Sequence, residues 1–300
     1  MRKLTFNEYL RVPRDSETLR RSFIRKLRGR YVERPHDFIS GDSFKDRADE
    51  ELRESSWREL LFNAYENPSE SKVFFLPGAP KSNISFNIIE QVLREKSWEF
   101  PNVSLIMHNG DLFPHHAKVE EVSYRFKSIY SVNWLGNSPK VFPLPIGLEN
   151  EGYLVNGVLS DYLTMSSRNV RFSERKYDFL VCFSIHTNPS ERADALFHAK
   201  KLKNALIVDS PITPRQYREL LLNCKFVISP PGNGVDCHRT WESQFLGAVP
   251  VVKKSFWPFK DHKLPVKVID DWDELKEVTS GSVNYFDTSL DKLKVNYWLN

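Results

Sequence analysis

The sequence predicts an α/β protein made of two units that face a cleft. Three observations carry that reading. Apolar strand-like runs alternate with helical stretches over 73–147, and the alternation restarts over 177–278. A polar, Ser-rich stretch near 160–175 separates the two series and puts the boundary near residue 165. The chain has 300 residues, long enough for two domains with a core each. The expected organisation is a basic segment at 1–34, a first domain at 35–165, a second at 166–282, and a tail at 283–300 packing back on the first.

Each element has its own signal. Over 35–70 the polar, charged sequence carries Trp57, Leu60, Leu61 and Tyr65 at helical spacing, which predicts one amphipathic helix. The strand Val73–Leu76 ends at the breaker 77–80, and SFNIIEQVLREKSW follows as a helix. The run VSLIM at 103–107 is a strand, AKVEEVSYRF a helix, and SIYSVNW and VFPLPIG are strands. In the second series, strands at 177–183, ALIVD, KFVIS, VPVV and VKVI alternate with the helices ERADALFHAKKL, RTWESQFLG and DWDELKEV. Thr213 is placed to cap one further helix, with Pro214 at its first position.

Composition narrows the function classes. Hydrophobic residues make up 40% and aromatic residues 13%, too much bulky apolar material for a disordered chain. The net charge is +4, but residues 1–34 hold a surplus of +7, leaving the other 266 residues at −3. A faintly acidic body argues against a nucleic-acid-binding face. Within the basic segment, Leu19, Phe23, Ile24 and Leu27 fall on one side of a potential helix. That helix either lies peripherally on an anionic membrane or packs on the first domain. No apolar run is long enough to cross a bilayer, and MRKLTFNEYLRVPR lacks a signal peptide's apolar core. Three cysteines, Cys182, Cys224 and Cys237, give neither a disulfide framework nor metal-ligand spacing. The expected location is therefore the cytoplasm.

The densest chemical feature is KFVISPPGNGVDCHRTWESQFLGAVPVV at 225–252. It reads as strand, Pro/Gly loop, helix, strand, with the loop at the carboxyl end of a parallel strand, where α/β sheets bind ligands. Gly232 and Gly234 permit close backbone approach, and the helix N-terminus offers unpaired N–H groups to an anion. Arg239, in the helix's first turn, opposes the helix dipole unless an anion is bound, so a phosphate ligand fits. Glu242, one turn on, suits vicinal hydroxyls such as those of a ribose; an exposed Arg239–Glu242 pair is the plainer alternative.

The block SPPGNGVDCHRTWESQFLGAVPVV resembles the nucleotide-sugar-binding segment of exostosin-like glycosyltransferases. So do YDFLVCFSIHTNPSER at 177–192, VFPLPIGLEN at 141–150 and LPVKVIDDWDEL at 264–275. The resemblance is strong over 177–275, thinner over 103–150 and absent before residue 70. It implies two Rossmann-like domains of the GT-B architecture. It also implies inverting, metal-independent transfer of a hexosyl or pentosyl group from a nucleoside-diphosphate sugar, a UDP-sugar first, to a glycan hydroxyl. GDP- or ADP-sugar transfer of the fucosyl or heptosyl kind is an alternative, as is a non-catalytic glycan-binding protein. The chain ends at NYWLN, so a final helix returning to the first domain is expected to be short.

By the same resemblance, Glu242 holds the donor ribose, and Arg239 with the Gly232–Gly234 loop holds the diphosphate. Asn233, Asp236 and His238 complete this donor-binding stretch. Ser184, Thr187 and Arg192 are placed to meet the diphosphate from the opposite wall; helix capping by Thr187, Asn188 or Ser190 is equally compatible. The acceptor base is sought in the first domain. Asp111, in Met107-His108-Asn109-Gly110-Asp111, is the first candidate and Glu149 the second. His108, His115 and His116 lie nearby, and His-Asn-Gly-Asp is equally good turn chemistry. The pair His115-His116 lacks further ligands at metal-site spacing, and Asp271-Trp272-Asp273 reads as a helix cap, so no metal is expected. Asn83-Ile84-Ser85 and Asn102-Val103-Ser104 are glycosylation sequons by pattern alone.

Overall fold

Two five-stranded sheets, parallel at every pairing, organise the chain and make it an α/β protein. The computed structural model describes residues 19–20, 37–78, 83–153, 155–168, 170–282 and 290–299. Of the basic segment, Leu19 and Arg20 are helical and Leu19 is exposed; Phe23, Ile24 and Leu27 lie outside the described residues.

The first sheet contains β1 (Glu50–Glu51), β2 (Lys72–Pro77), β3 (Phe100–His108), β4 (Phe126–Val132) and β5 (Val141–Leu144), side by side in chain order. A sheet wound steadily in one direction puts its right-handed crossovers on one face. Alternate strand residues agree: Phe74, Leu76, Val103, Leu105, Met107 and Ile129 pack on α2 (Trp57–Glu66), α3 (Ile84–Arg94) and α4 (His116–Ser123). Phe75 and Ile106, pointing the other way, join Phe44 of α1 (Gly41–Lys45) and the core of the second half. The continuous burial of β3 from Val103 to His108 follows from cover on both faces.

The second sheet runs β10 (Lys267–Ile269), β9 (Val249–Lys253), β8 (Cys224–Ile228), β6 (Tyr177–Val181), β7 (Ala205–Ile207). Its winding reverses. From β6 the chain goes outward to β7 through α6 (Pro189–Ala199), which packs on one face with Phe179 and Val181. It then returns through α7 (Pro214–Asn223) to β8, on the far side of β6. Leu221 and Leu222 of α7 share the opposite face with Trp241 and Phe245 of α8 (His238–Phe245). The capping box forms: Thr213 Oγ1 accepts from Gln216 N, and the Gln216 side chain accepts from Thr213 N at 2.8 Å.

Five expectations change. The single helix over 35–70 is instead α1, the edge strand β1 and α2, because the first part has its own cap at Ser40 and Leu52 turns into the core. The helix expected to run on to Trp98 stops at Arg94, and AKVEEVSYRF ends at Ser123, leaving Phe126 to begin β4. The Ser-rich stretch holds a helix, α5 (Leu159–Ser166), that buries Leu159 and Tyr162 against the second half. The segment after β10 is a 3-10 helix, Trp272–Glu277, which buries Trp272 and Leu275 at the three-residue spacing of that geometry. Asp271 caps it, its carboxylate accepting from Trp272 N at 2.7 Å.

The last described residues return to the first ones. Ile39 N donates to Leu293 O at 2.8 Å and Val295 N to Asp37 O at 2.7 Å. Trp298 then meets Trp241 edge-on at 5.8 Å, so the tail also closes over α8.

Candidate functional site

The reversal of winding between β6 and β8 leaves a crevice at their carboxyl ends, the place where such a sheet is built to receive a ligand. A cleft of about 860 Å³ opens there. Its walls come from the residues after β6 (Cys182 to His186), those after β7 (Val208 to Pro214), the start of α8, and Glu149 with Asn156 of the first half.

The loop after β8 is shaped by close approach. A Cβ on Gly232 would lie 2.7 Å from Arg192 Nη2, and one on Gly234 would lie 2.5 Å from the Asn133 side chain. The turn is held by Gly232 N donating to Gly234 O at 2.9 Å. Asp236 anchors its end. The buried carboxylate accepts from Ile146 N at 2.8 Å, Trp241 Nε1 at 2.7 Å and Cys237 N at 2.8 Å. Burial pushes that carboxyl up to about 6 even with three donors around it. Asp236 does not line the cleft: its oxygens are taken by the protein, and it ties the loop to β5's end and to α8.

Arg192 and Arg239 both lie against Phe183, their guanidinium carbons 5.7 and 5.3 Å from its ring centroid. Arg192 Nη1 donates to Ser184 O at 2.7 Å and its Nε to Pro231 O at 2.9 Å; Arg239 Nε donates to Cys182 O at 3.0 Å. Among the described residues neither forms an ion pair with a carboxylate within 4.0 Å, so the surface Arg239–Glu242 pair does not form. Burial, with the Arg239 charge adding, pushes the Arg192 guanidinium down to about 10. Two adjoining cations, bonded to carbonyl oxygens and, at Arg239 Nη1, to Cys237 Sγ at 3.7 Å, make a site suited to an anion. The N-terminus of α8 adds to it, because its N-cap, Cys237, makes no side-chain capping bond.

Glu242 lines the same cleft and is 4% exposed. Burial pushes its carboxyl above the usual range, with the neighbouring Glu149 adding to the shift and His238 and Arg239 offsetting it. Glu149 is raised in the same way, chiefly by burial, while its Oε2 accepts from Asn156 N at 2.9 Å. His238 Nδ1 sits 2.8 Å from Gly147 O, and the His238 charge partly offsets the rise at both carboxylates. Behind them are the buried hydroxyls of Tyr162 and Tyr217, whose ionisation is pushed up by burial and by the Glu242 charge.

The other expected residues divide between the cleft and its surroundings. Ser184 lines the cleft; Thr187 does not, and stands near Gly232. The cap of α6 is Asn188, which accepts from Glu191 N. Asn233 is exposed and donates to Asp111 Oδ2 at 3.2 Å, beyond the glycine turn. Asp111 is thus on the far side of the loop, in a separate recess, while Glu149 is inside the main cleft. His108 is buried and structural, with Nε2 3.1 Å from Pro145 O and Nδ1 accepting from Asn109 N. Among the described residues no three His, Cys, Asp or Glu gather as a metal-ligand set. Sequence reasoning missed Phe183, Tyr217 and the 208–214 wall; the carboxyl end of β7, on the same sheet edge, was the available signal.

No family model matches the chain. The sequence is similar to ribitol-5-phosphate xylosyltransferase 1 of Danio rerio, a glycosyltransferase by name, at 22% identity over 274 residues. The similarity takes in 74% of this chain and 61% of that protein, so the chain spans about three fifths of its relative's length.

Proposed function

We propose that this chain is a glycosyltransferase that moves a sugar from a nucleoside diphosphate to a hydroxyl of a glycan acceptor. Its two halves act as the paired Rossmann-like domains of the GT-B type. The observation that carries the reading is the pair Arg192 and Arg239, without carboxylate partners, beside the uncapped start of α8 at the switch point of a parallel sheet. The distant likeness to a xylosyltransferase supports the same class, as does the exostosin-like resemblance of 177–275.

In this reading the diphosphate lies between the two guanidiniums and the first N–H groups of α8, with Ser184 beside it. Those groups meet the charge that grows on the departing diphosphate, so a metal is not needed for that purpose. Glu242 accepts from the ribose hydroxyls. Glu149 takes the acceptor's proton as the acceptor oxygen bonds to the anomeric carbon and the diphosphate leaves with its bonding pair. Its raised pKa brings it closer to the working pH, which strengthens a carboxylate as a base. Glu149, not Asp111, is assigned that role because only Glu149 shares the cleft with Glu242.

The relative's name makes a xylosyl donor and a ribitol-5-phosphate acceptor the first pair to assay, with UDP, which the exostosin-like resemblance puts first, as the first nucleotide. Binding of UDP and other nucleoside diphosphates by calorimetry tests the reading. Binding that falls at least tenfold in Arg239→Ala and Arg192→Ala is expected. Equal affinity in wild type and both variants would overturn it.

A further inference from the structure

On the far side of the Pro/Gly loop from the two arginines is a second recess, of about 320 Å³. One loop separates the two spaces: Gly232 approaches Arg192 on the cleft side, and Gly234 approaches Asn133 on the recess side. The recess has polar and apolar parts. Buried Trp134 and Val119 make its floor, and Phe113, His115 and His116 its walls. The His116 ring lies 4.8 Å from Trp134, and burial holds its pKa below the ordinary histidine value, so near pH 7 it is a neutral ring. At the mouth are the Asp111 carboxylate, which has no cation partner within 4.0 Å among the described residues, and the exposed Asn233 amide bonded to it.

Among the described residues no lysine or arginine lines this recess, and the Asp111 carboxylate disfavours a phosphate. A carboxylate and an amide, both planar and multidentate, suit pairs of neighbouring hydroxyls. Apolar and aromatic walls suit the C–H faces of a ring. We propose that this recess binds one uncharged, hydroxyl-rich ring of the acceptor, and that this ring is not the one that reacts. The reacting hydroxyl must reach Glu149, which lies on the other side of the loop. Binding a remote unit would position the acceptor, and Asp111 becomes a recognition residue instead of a base. Calling the ring part of an acceptor rests on the glycosyltransferase reading; the recess binding a sugar does not.

Saturation-transfer NMR on the full chain, with methyl pentosides, methyl hexosides and free pentitols as probes, tests the proposal directly. The expected result is a signal from at least one probe that persists under saturating UDP. It should vanish in Asp111→Ala, weaken in Asn233→Ala, and survive in Arg239→Ala. Unchanged UDP affinity in Asp111→Ala shows that this variant is folded. No signal from any probe, a signal indifferent to Asp111→Ala, or displacement by UDP would overturn the proposal. In turnover, Asp111→Ala should raise KM for a multi-unit acceptor more than tenfold and leave kcat within about twofold. A collapse of kcat would instead make Asp111 the base and sink the proposal. Failure of every nucleoside diphosphate to bind, with the Asp111-dependent sugar signal intact, would sink the donor reading and leave the recess standing.

Discussion

Glu149 and Glu242 share one cleft, and burial raises both pKa values, yet the roles proposed for them separate on mutation. Glu242→Ala should weaken nucleoside-diphosphate binding by about 2 kcal/mol, roughly thirtyfold, through lost charge-assisted hydrogen bonds to the ribose. Calorimetry reads this directly. Glu149→Gln should leave that affinity intact and cut kcat by about 10²- to 10⁴-fold, the usual worth of a general base. The base works only when deprotonated, so kcat/KM should climb as pH rises through a midpoint above the ordinary glutamate value of 4.5. That limb should vanish in Glu149→Gln. Gly232→Ala would put a methyl 2.7 Å from Arg192 Nη2 and should lower nucleotide affinity about tenfold with little change in melting temperature. Much of this site was legible in one segment: a Pro/Gly loop followed by Arg239 and Glu242 has a local chemical logic. That Glu149 lines the main cleft and Asp111 the second recess was beyond sequence reasoning, because which side of a loop a residue occupies is set by tertiary packing.

At the scale of elements, strands and long helices were legible because their apolar periods are unambiguous, from β2 to α8. Short pieces were not. β1 is two residues long, and α5 hides its two buried side chains among serines. Arg175, inside a stretch that reads as polar linker, illustrates what pattern alone misses. Its buried guanidinium donates to Leu221 O at 2.8 Å, Cys224 O at 2.9 Å and Leu246 O at 2.6 Å, capping the carboxyl ends of α7 and α8 together. Cations at helix C-termini are favourable, and these two helices form one wall of the cleft. Arg175→Ala should therefore destabilise the protein by about 3 kcal/mol and lower its melting temperature by roughly 5–10 °C. Differential scanning calorimetry measures both.

Across the whole molecule, the two halves are both parallel α/β layers, but they are wound differently. The first sheet proceeds in one direction with its crossovers on one face, and the second reverses at β6. Only the second therefore has a switch-point crevice, and the cleft with the two arginines lies there. The first half contributes Glu149 across a core the halves share, in which Phe75, Ile106 and Leu148 join Leu180, Trp241 and Phe245. Packing of that kind fixes the carboxylate relative to the arginines, as a catalytic arrangement requires. The central claim is that the 860 Å³ cleft holds a nucleoside diphosphate. Thermal denaturation of the purified chain against UDP, GDP, ADP, CDP and dTDP tests it most directly, since a ligand of the folded state raises apparent stability by mass action. At least one of these should raise the melting temperature of the wild type and fail to do so in Arg239→Ala. A melting temperature unmoved by all five would contradict it.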